Sequence, residues 1–142
     1  MTVETSNRLR LTRRFDAAPE RVFAAWFDPP TVRQWLFAAP SSEPKHRIEI
    51  DARVGGSCVI LNRWGGPDVI IGYLEIAAPR RLVFTLILPY FSPDSDHLTV
   101  EIAPAGAGCI LTLIHEGPPP DYQSPIERGW AEMFDDLAAT LR

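Results

Sequence analysis

The sequence lacks most of the motifs that announce a catalytic or metal-binding protein. It contains no Walker loop, no glycine-rich dinucleotide-binding motif, no nucleophile elbow and no Cys-x-x-Cys pair. Its three histidines, His46, His97 and His115, are not spaced as local metal ligands. The two cysteines, Cys58 and Cys109, lie far apart, which favours two buried thiols in a reducing cytoplasm over a disulfide. We therefore expect neither a metal nor a cofactor.

Positive charge and long apolar runs are also scarce. Lys and Arg number 14 against 18 Asp and Glu, for a net charge of −4, which argues against a nucleic-acid or anionic-membrane surface. No apolar run approaches the ~20 residues that span a bilayer. The first residues show no basic region followed by an apolar run, so no signal peptide is visible. These features predict one cytoplasmic domain over residues 1–142, a monomer or a homodimer.

The clearest pattern that is present is a helix over residues 124–141. Ser124-Pro125-Ile126-Glu127 reads as a capping box with proline at the first helical position. Large apolar side chains then recur every three or four residues, and burying each is worth roughly 1.5–3 kcal/mol. A broad apolar surface must therefore receive this helix. The stripe consists of Ile126, Trp130, Met133, Phe134, Leu137 and Leu141.

The preceding sequence predicts a sheet that supplies this surface. A first strand over residues 8–15 is followed by two short helices, 19–27 and 31–36. Six further strands are separated by turns alone, which implies antiparallel pairing. We predict an α+β fold in which a seven-stranded curved antiparallel sheet wraps around the long C-terminal helix. The six strands are residues 46–53, 57–63, 69–77, 81–88, 97–103 and 109–115.

Several short motifs also carry a family resemblance. They are Ala18-Pro19-Glu20-Arg21-Val22-Phe23, Asp28-Pro29, Gln34-Trp35-Leu36, Gly55-Gly56, Pro79-Arg80-Arg81-Leu82-Val83-Phe84-Thr85 and Gly129-Trp130. Their order and spacing resemble the activator of heat-shock-protein ATPase homologue-like (AHSA) family, of the START-like, or SRPBCC, superfamily. The resemblance implies a helix-grip fold with an apolar cavity between the sheet and the long helix. The chain departs from the family at Val54, often proline there, and at Cys109, often threonine.

His115 is the most informative candidate site residue. It shares one face of the last strand with Leu111 and Leu113, and the strand ends at once after it. The imidazole should therefore point inward, near the rim of the cavity. It then either bonds to backbone at the strand end or contacts a ligand. We expect His115→Leu to spare folding and to weaken a ligand with a polar group.

Five other residues complete the candidate ligand-binding site. The aromatic side chains of Trp35, Trp130 and Phe134 serve as core, as cavity wall, or as both. Asn62 alternates with inward-facing residues and needs a polar partner, which a ligand or water would provide. Tyr90 lies in a long loop at a position suited to a gate.

These observations favour binding of a small lipophilic molecule. The first alternative is a chaperone-associated interaction module, linked to stress response through the family name, which requires an exposed apolar or charged patch. The second is a cyclase- or hydrolase-like enzyme using the same cavity. It requires an acid–base pair, and His115 is the one member that the sequence identifies, so an enzyme is the less favoured reading.

Overall fold

The computed structural model describes residues 8–37, 48–60, 68–87 and 95–142. Strands and helices follow the predicted order of one strand, two short helices, six strands and a long helix. The elements are β1 Arg8–Phe15, α1 Pro19–Ala24, α2 Pro29–Trp35, β2 Ile48–Ile50, β3 Ser57–Ile60, β4 Val69–Ala77, β5 Arg81–Ile87, β6 Ser95–Ala105, β7 Gly108–Glu116 and α3 Pro120–Thr140.

The strands form one seven-stranded sheet in the order β1-β7-β6-β5-β4-β3-β2. Every neighbouring pair is antiparallel, and β1, the first strand, pairs with β7, the last. This confirms the predicted α+β fold with an antiparallel sheet. The register places His115 of β7 between Leu9 of β1 and Leu98 of β6. Because side chains at paired positions share a face, His115 faces the same side as these two leucines.

The C-terminal helix does not begin where the sequence predicts. It begins at Pro120, with Pro119 as the N-cap residue and no side-chain capping bond. Pro125 consequently lies inside the helix, and the predicted capping box at Ser124 is wrong. Pro120 meets the same preference for proline at the first helical position. Burial of the apolar stripe offsets the backbone hydrogen bond that Pro125 cannot donate.

Other boundaries shift by smaller amounts. The first helix ends at Ala24, because the amides of Trp26 and Phe27 bond three residues back in a tighter turn. The strand predicted over residues 46–53 ends at Ile50 within the described residues. Parts of the strands predicted over residues 46–53, 57–63 and 81–88 lie outside the described residues. The sixth strand is longer than the predicted residues 97–103 and includes Asp96.

The apolar stripe of α3 lies against the inner face of the sheet and against α2. Trp130, Met133, Phe134 and Leu137 are at most 1% exposed. The ring of Trp35, from α2, stacks on Phe134 with centroids 6.2 Å apart. None of the described helices is both long and apolar enough to cross a membrane.

Candidate functional site

His115 is fully buried and forms hydrogen bonds through both ring nitrogens. Its Nε2 lies 2.8 Å from Oδ2 of Asp96, and its Nδ1 lies 3.1 Å from Nε1 of Trp130. An indole N–H can only donate, so Nδ1 must accept and Nε2 must carry the proton that is donated to Asp96. The contacts thus define a neutral histidine with a fixed tautomer. Both bonds go to side chains rather than to backbone, and the predicted ligand contact of His115 stays a prediction.

The partner carboxylate, Asp96, was missed by sequence reasoning. Leu98, Val100 and Ile102 alternate on the inner face of β6, and one further step back along that alternation reaches Asp96. That alternation was the available signal, but Asp96 follows a stretch rich in turn-forming residues that reads as a loop. Strand pairing brings this side chain beside the end of β7.

Gly117 makes room for the Asp96 carboxylate. It follows β7 directly and has φ of +133°, a conformation that residues with a side chain rarely adopt. A Cβ atom at this position would overlap the Asp96 carboxylate. The glycine after the last strand therefore permits the Asp96–His115 bond.

Trp130 links the histidine to the aromatic interior. Its ring centroid lies 6.1 Å from Trp26, 5.2 Å from Phe37 and 5.6 Å from Phe134. Since Phe134 also stacks on Trp35, four predicted site residues (Trp35, His115, Trp130 and Phe134) belong to one contiguous group. The other two, Asn62 and Tyr90, lie outside the described residues, so their roles stay predictions.

Phe37 reaches Trp130 from an unusual backbone conformation. Its φ is +55°, which costs a residue with a side chain roughly 1–3 kcal/mol. The amide of Phe37 donates to Sδ of Met133 over 3.1 Å, and the side chain is 2% exposed. Packing of its ring edge-on against Trp130 offsets this strain and joins the end of α2 to α3.

Two buried polar groups near this cluster lack partners. The indole Nε1 of Trp26 and the hydroxyl of Tyr73 have no hydrogen-bond partner in the described parts of the chain. Trp26 is 2% exposed and Tyr73 is 3% exposed. By contrast, Nε1 of Trp35 donates to the carbonyl of Ala25 over 3.0 Å. Neither Trp26 nor Tyr73 was singled out from the sequence, because both read as ordinary core aromatics.

Burial keeps the Cys58 thiol and the Tyr73 hydroxyl protonated. It raises the pKa of Cys58 to about 11, and the nearby hydroxyl of Tyr73 offsets this only in part. Burial also raises the pKa of Tyr73, and the neighbouring Cys58 and Asp51 raise it further. Cys58 and Tyr73 each shift the pKa of the other, yet the Tyr73 hydroxyl has no hydrogen-bond partner in the described residues. Tyr73 therefore presents an O–H donor at any physiological pH.

The arrangement offers no metal site in the described residues. No group of three or more His, Cys, Asp or Glu side chains there is placed to hold an ion. The polar atoms of the interior are instead donors and one histidine–carboxylate pair, enclosed by aromatic rings. This set suits hydrogen bonding to an organic molecule better than ligation of a metal.

The fold and the aromatic interior define a helix-grip protein of the START-like class. The model of the family described as activator of Hsp90 ATPase homolog 1-like protein matches residues 16–142, and the chain belongs to this family. This confirms the resemblance read from the sequence motifs. No match was found among curated proteins.

Solved structures agree with this assignment. The chain is similar to protein CV1439 from Chromobacterium violaceum, with 29% identity, coverage of 95% of this chain and 96% of that one, and a TM-score of 0.76. Mll3558 from Rhizobium loti shares 28% identity over 94% of this chain and 96% of that one, with a TM-score of 0.72. A Staphylococcus aureus protein of unknown function, SA2116, shares 19% identity over 94% and 92%, with a TM-score of 0.77, and supports the fold alone.

Proposed function

We propose that the protein binds a small lipophilic molecule between the inner face of the sheet and α3, in the cytoplasm. The observation that carries this proposal is the indole N–H of Trp26, which is buried among aromatic rings without an acceptor. A buried donor left unsatisfied costs about 1–3 kcal/mol. An apolar molecule with an acceptor atom would recover this free energy, while the surrounding rings would contact its hydrocarbon part.

The predicted site residues have distinct roles in this proposal. Trp35, Trp130 and Phe134 form the apolar wall. Asn62 and Tyr90 keep the roles predicted from the sequence, a polar contact and a gate, because both lie outside the described residues. His115 acts through its bond to Trp130, because both of its ring nitrogens are already engaged. A ligand that bound the imidazole directly would have to displace Asp96 or Trp130.

Two measurements test ligand binding. Native mass spectrometry of the purified protein is expected to reveal a co-purifying small molecule, or saturable uptake of an added fatty acid at about one site. Titration with an environment-sensitive apolar dye should saturate at the same stoichiometry without loss of near-ultraviolet circular dichroism.

Matched variants locate the bound probe. Trp130→Ala should weaken the dye at least tenfold, because it removes one of the two indole rings of the wall. Ile110→Ser, on the outer face where Ile110 is 40% exposed, should leave dye affinity unchanged. Dye binding that never saturates, or that responds equally to both substitutions, would reject an interior site.

One observation favours a second candidate function, a chaperone-associated interaction module. The outer face of the sheet has a shallow groove of about 500 Å³, lined in part by Ala77, Ile110 and Thr112. Arg81 also lines the groove and pairs with Glu75 at 3.1 Å and Glu101 at 3.2 Å. Titration calorimetry with purified Hsp90 distinguishes this function. Binding that Ile110→Asp abolishes, with the dye site intact, would favour it over ligand binding.

The enzyme alternative receives less support from the geometry. Asp96 and His115 do form a carboxylate–histidine pair, in which Asp96 is the second member that the sequence did not identify. However, an acid–base catalyst needs the second ring nitrogen free for substrate, and here Nδ1 accepts from Trp130. The pair is therefore better suited to holding Trp130 in place than to moving protons.

A further inference from the structure

We propose that Trp26 and Tyr73 form a pair of hydrogen-bond donors that selects an uncharged, largely apolar ligand with two acceptor oxygens, such as a quinone or diketone. This inference rests on the proposed function and specifies its ligand class. It assigns the polar recognition of the ligand to two residues whose buried donors have no hydrogen-bond partner in the described residues.

Two phenylalanine rings, those of Phe27 and Phe84, connect the neighbourhoods of the two donors. Tyr73 of β4 is directly opposite Phe84 of β5 in the sheet register. The ring of Phe84 lies 5.9 Å from Trp26. Phe27, next to Trp26 in the chain, has its ring 5.4 Å from that of Tyr73. Both donors therefore belong to one aromatic region between the turn that follows α1 and strands β4 and β5.

Few buried side-chain donors in the described residues lack a partner: they are Nε1 of Trp26, the hydroxyl of Tyr73 and Nε of Arg33 in α2. Of the three tryptophans in the described residues, Trp35 donates to Ala25 and Trp130 donates to His115, whereas Trp26 donates to no described group. Protein interiors satisfy the great majority of buried polar atoms. Two unsatisfied donors in one aromatic region, each more than nine-tenths buried, thus indicate acceptors supplied from outside the chain.

The chemistry of the pair restricts the ligand. An indole N–H can only donate, so the Trp26 end excludes ammonium groups and requires an acceptor. Tyr73 keeps its proton at physiological pH and presents a second donor. Asp51 is close enough to disfavour negative charge at Tyr73, and it would repel a ligand carboxylate in the same way. Uncharged carbonyl oxygens meet all three conditions.

Three probes of one shape test the donor pair by equilibrium dialysis: anthracene, 9,10-anthraquinone and anthraquinone-2-sulfonate. The wild-type protein should bind anthraquinone at least tenfold more tightly than anthracene, and the sulfonate more weakly than anthraquinone. Tyr73→Phe and Trp26→Phe should each weaken anthraquinone about tenfold and leave anthracene within twofold. Tyr122→Phe, at a tyrosine that is 45% exposed, is the matched control and should change nothing.

The outcomes separate this inference from the proposed function. Equal affinity of the wild-type protein for anthracene and anthraquinone, at one saturable site, would overturn the donor pair and leave the lipophilic site standing. Failure of both to bind would overturn the two together. A Tyr73→Phe protein that loses anthracene and anthraquinone in equal proportion would show a structural role only. If Trp26→Phe does not fold, the near-isosteric Tyr73→Phe decides the question.

Discussion

Trp130 donates its indole N–H to Nδ1 of His115 across 3.1 Å, and this bond determines which ring nitrogen of the histidine carries its proton. The protonated Nε2 then donates to Oδ2 of Asp96 over 2.8 Å. A helix residue, a strand residue and a residue of the neighbouring strand are thereby joined in one chain of hydrogen bonds. The chain fixes the position of Trp130, which contacts three other aromatic rings.

Replacing His115 is expected to destabilise the protein, in contrast to the expectation from the sequence. His115→Leu leaves the buried indole N–H of Trp130 and the Asp96 carboxylate, 19% exposed, without their partner. We expect a loss of about 2–4 kcal/mol in the free energy of unfolding, measured by urea denaturation. His97→Leu is the control, since the His97 side chain is 46% exposed, and it should change stability by no more than ~0.5 kcal/mol. Equal effects of the two substitutions would contradict the role assigned to His115.

Gly117 should be intolerant of even a methyl group. Gly117→Ala places a Cβ against the Asp96 carboxylate in a backbone conformation that alanine disfavours. We expect thermal unfolding to show a loss of about 2 kcal/mol or more, with the His115 imidazole signals shifted in the NMR spectrum. Gly106→Ala provides the comparison, because Gly106 also has positive φ but a Cβ there would meet no atom closer than 3.9 Å. It should cost about 1 kcal/mol and leave the His115 signals in place.

The start of α3 can be tested by two substitutions near it. If the helix begins at Pro120, Ser124 is an exposed interior position, and Ser124→Ala should be neutral or slightly stabilising. Pro125→Ala should stabilise the helix by about 1–3 kcal/mol, because alanine can donate to the carbonyl of Asp121. A capping role for Ser124 would give the opposite pattern, with Ser124→Ala costing ~1 kcal/mol. Urea denaturation of both variants distinguishes the two boundaries.

Stability should fall in alkaline solution. The pKa of Cys58 is raised from 9.0 to about 11 in the folded protein by burial. Above pH 9 the unfolded chain loses this proton while the folded chain retains it, so the free energy of unfolding declines as pH rises toward 11. The Cys58 contribution to this decline is at most about 2.7 kcal/mol. Urea denaturation from pH 7 to 11 should show this decline. In Cys58→Ala the free energy of unfolding should fall less steeply over the same interval. Identical slopes would exclude Cys58 as the cause.

The order of strands and helices is determined by the sequence alone. Alternation of apolar residues predicts β4 at its observed bounds, and the stripe of α3 lies where the periodicity places it. These features depend on local spacing and on the free energy of burial, both of which are visible along the chain. The inward direction of His115 follows from the same alternation.

The polar partners in the interior were decided by tertiary structure. Asp96 meets His115 because β6 and β7 pair in one particular register, and Trp130 reaches the same ring from a helix that follows in the sequence. The helix boundary was likewise not decided by local signals, since two prolines offer equivalent starts and the folded chain uses the earlier one, Pro120. Whether the indoles of Trp26 and Trp35 find acceptors depends on groups brought together only by folding. Patterns along the chain show the spacing of residues, whereas hydrogen bonds across a core depend on distances that only the folded chain defines.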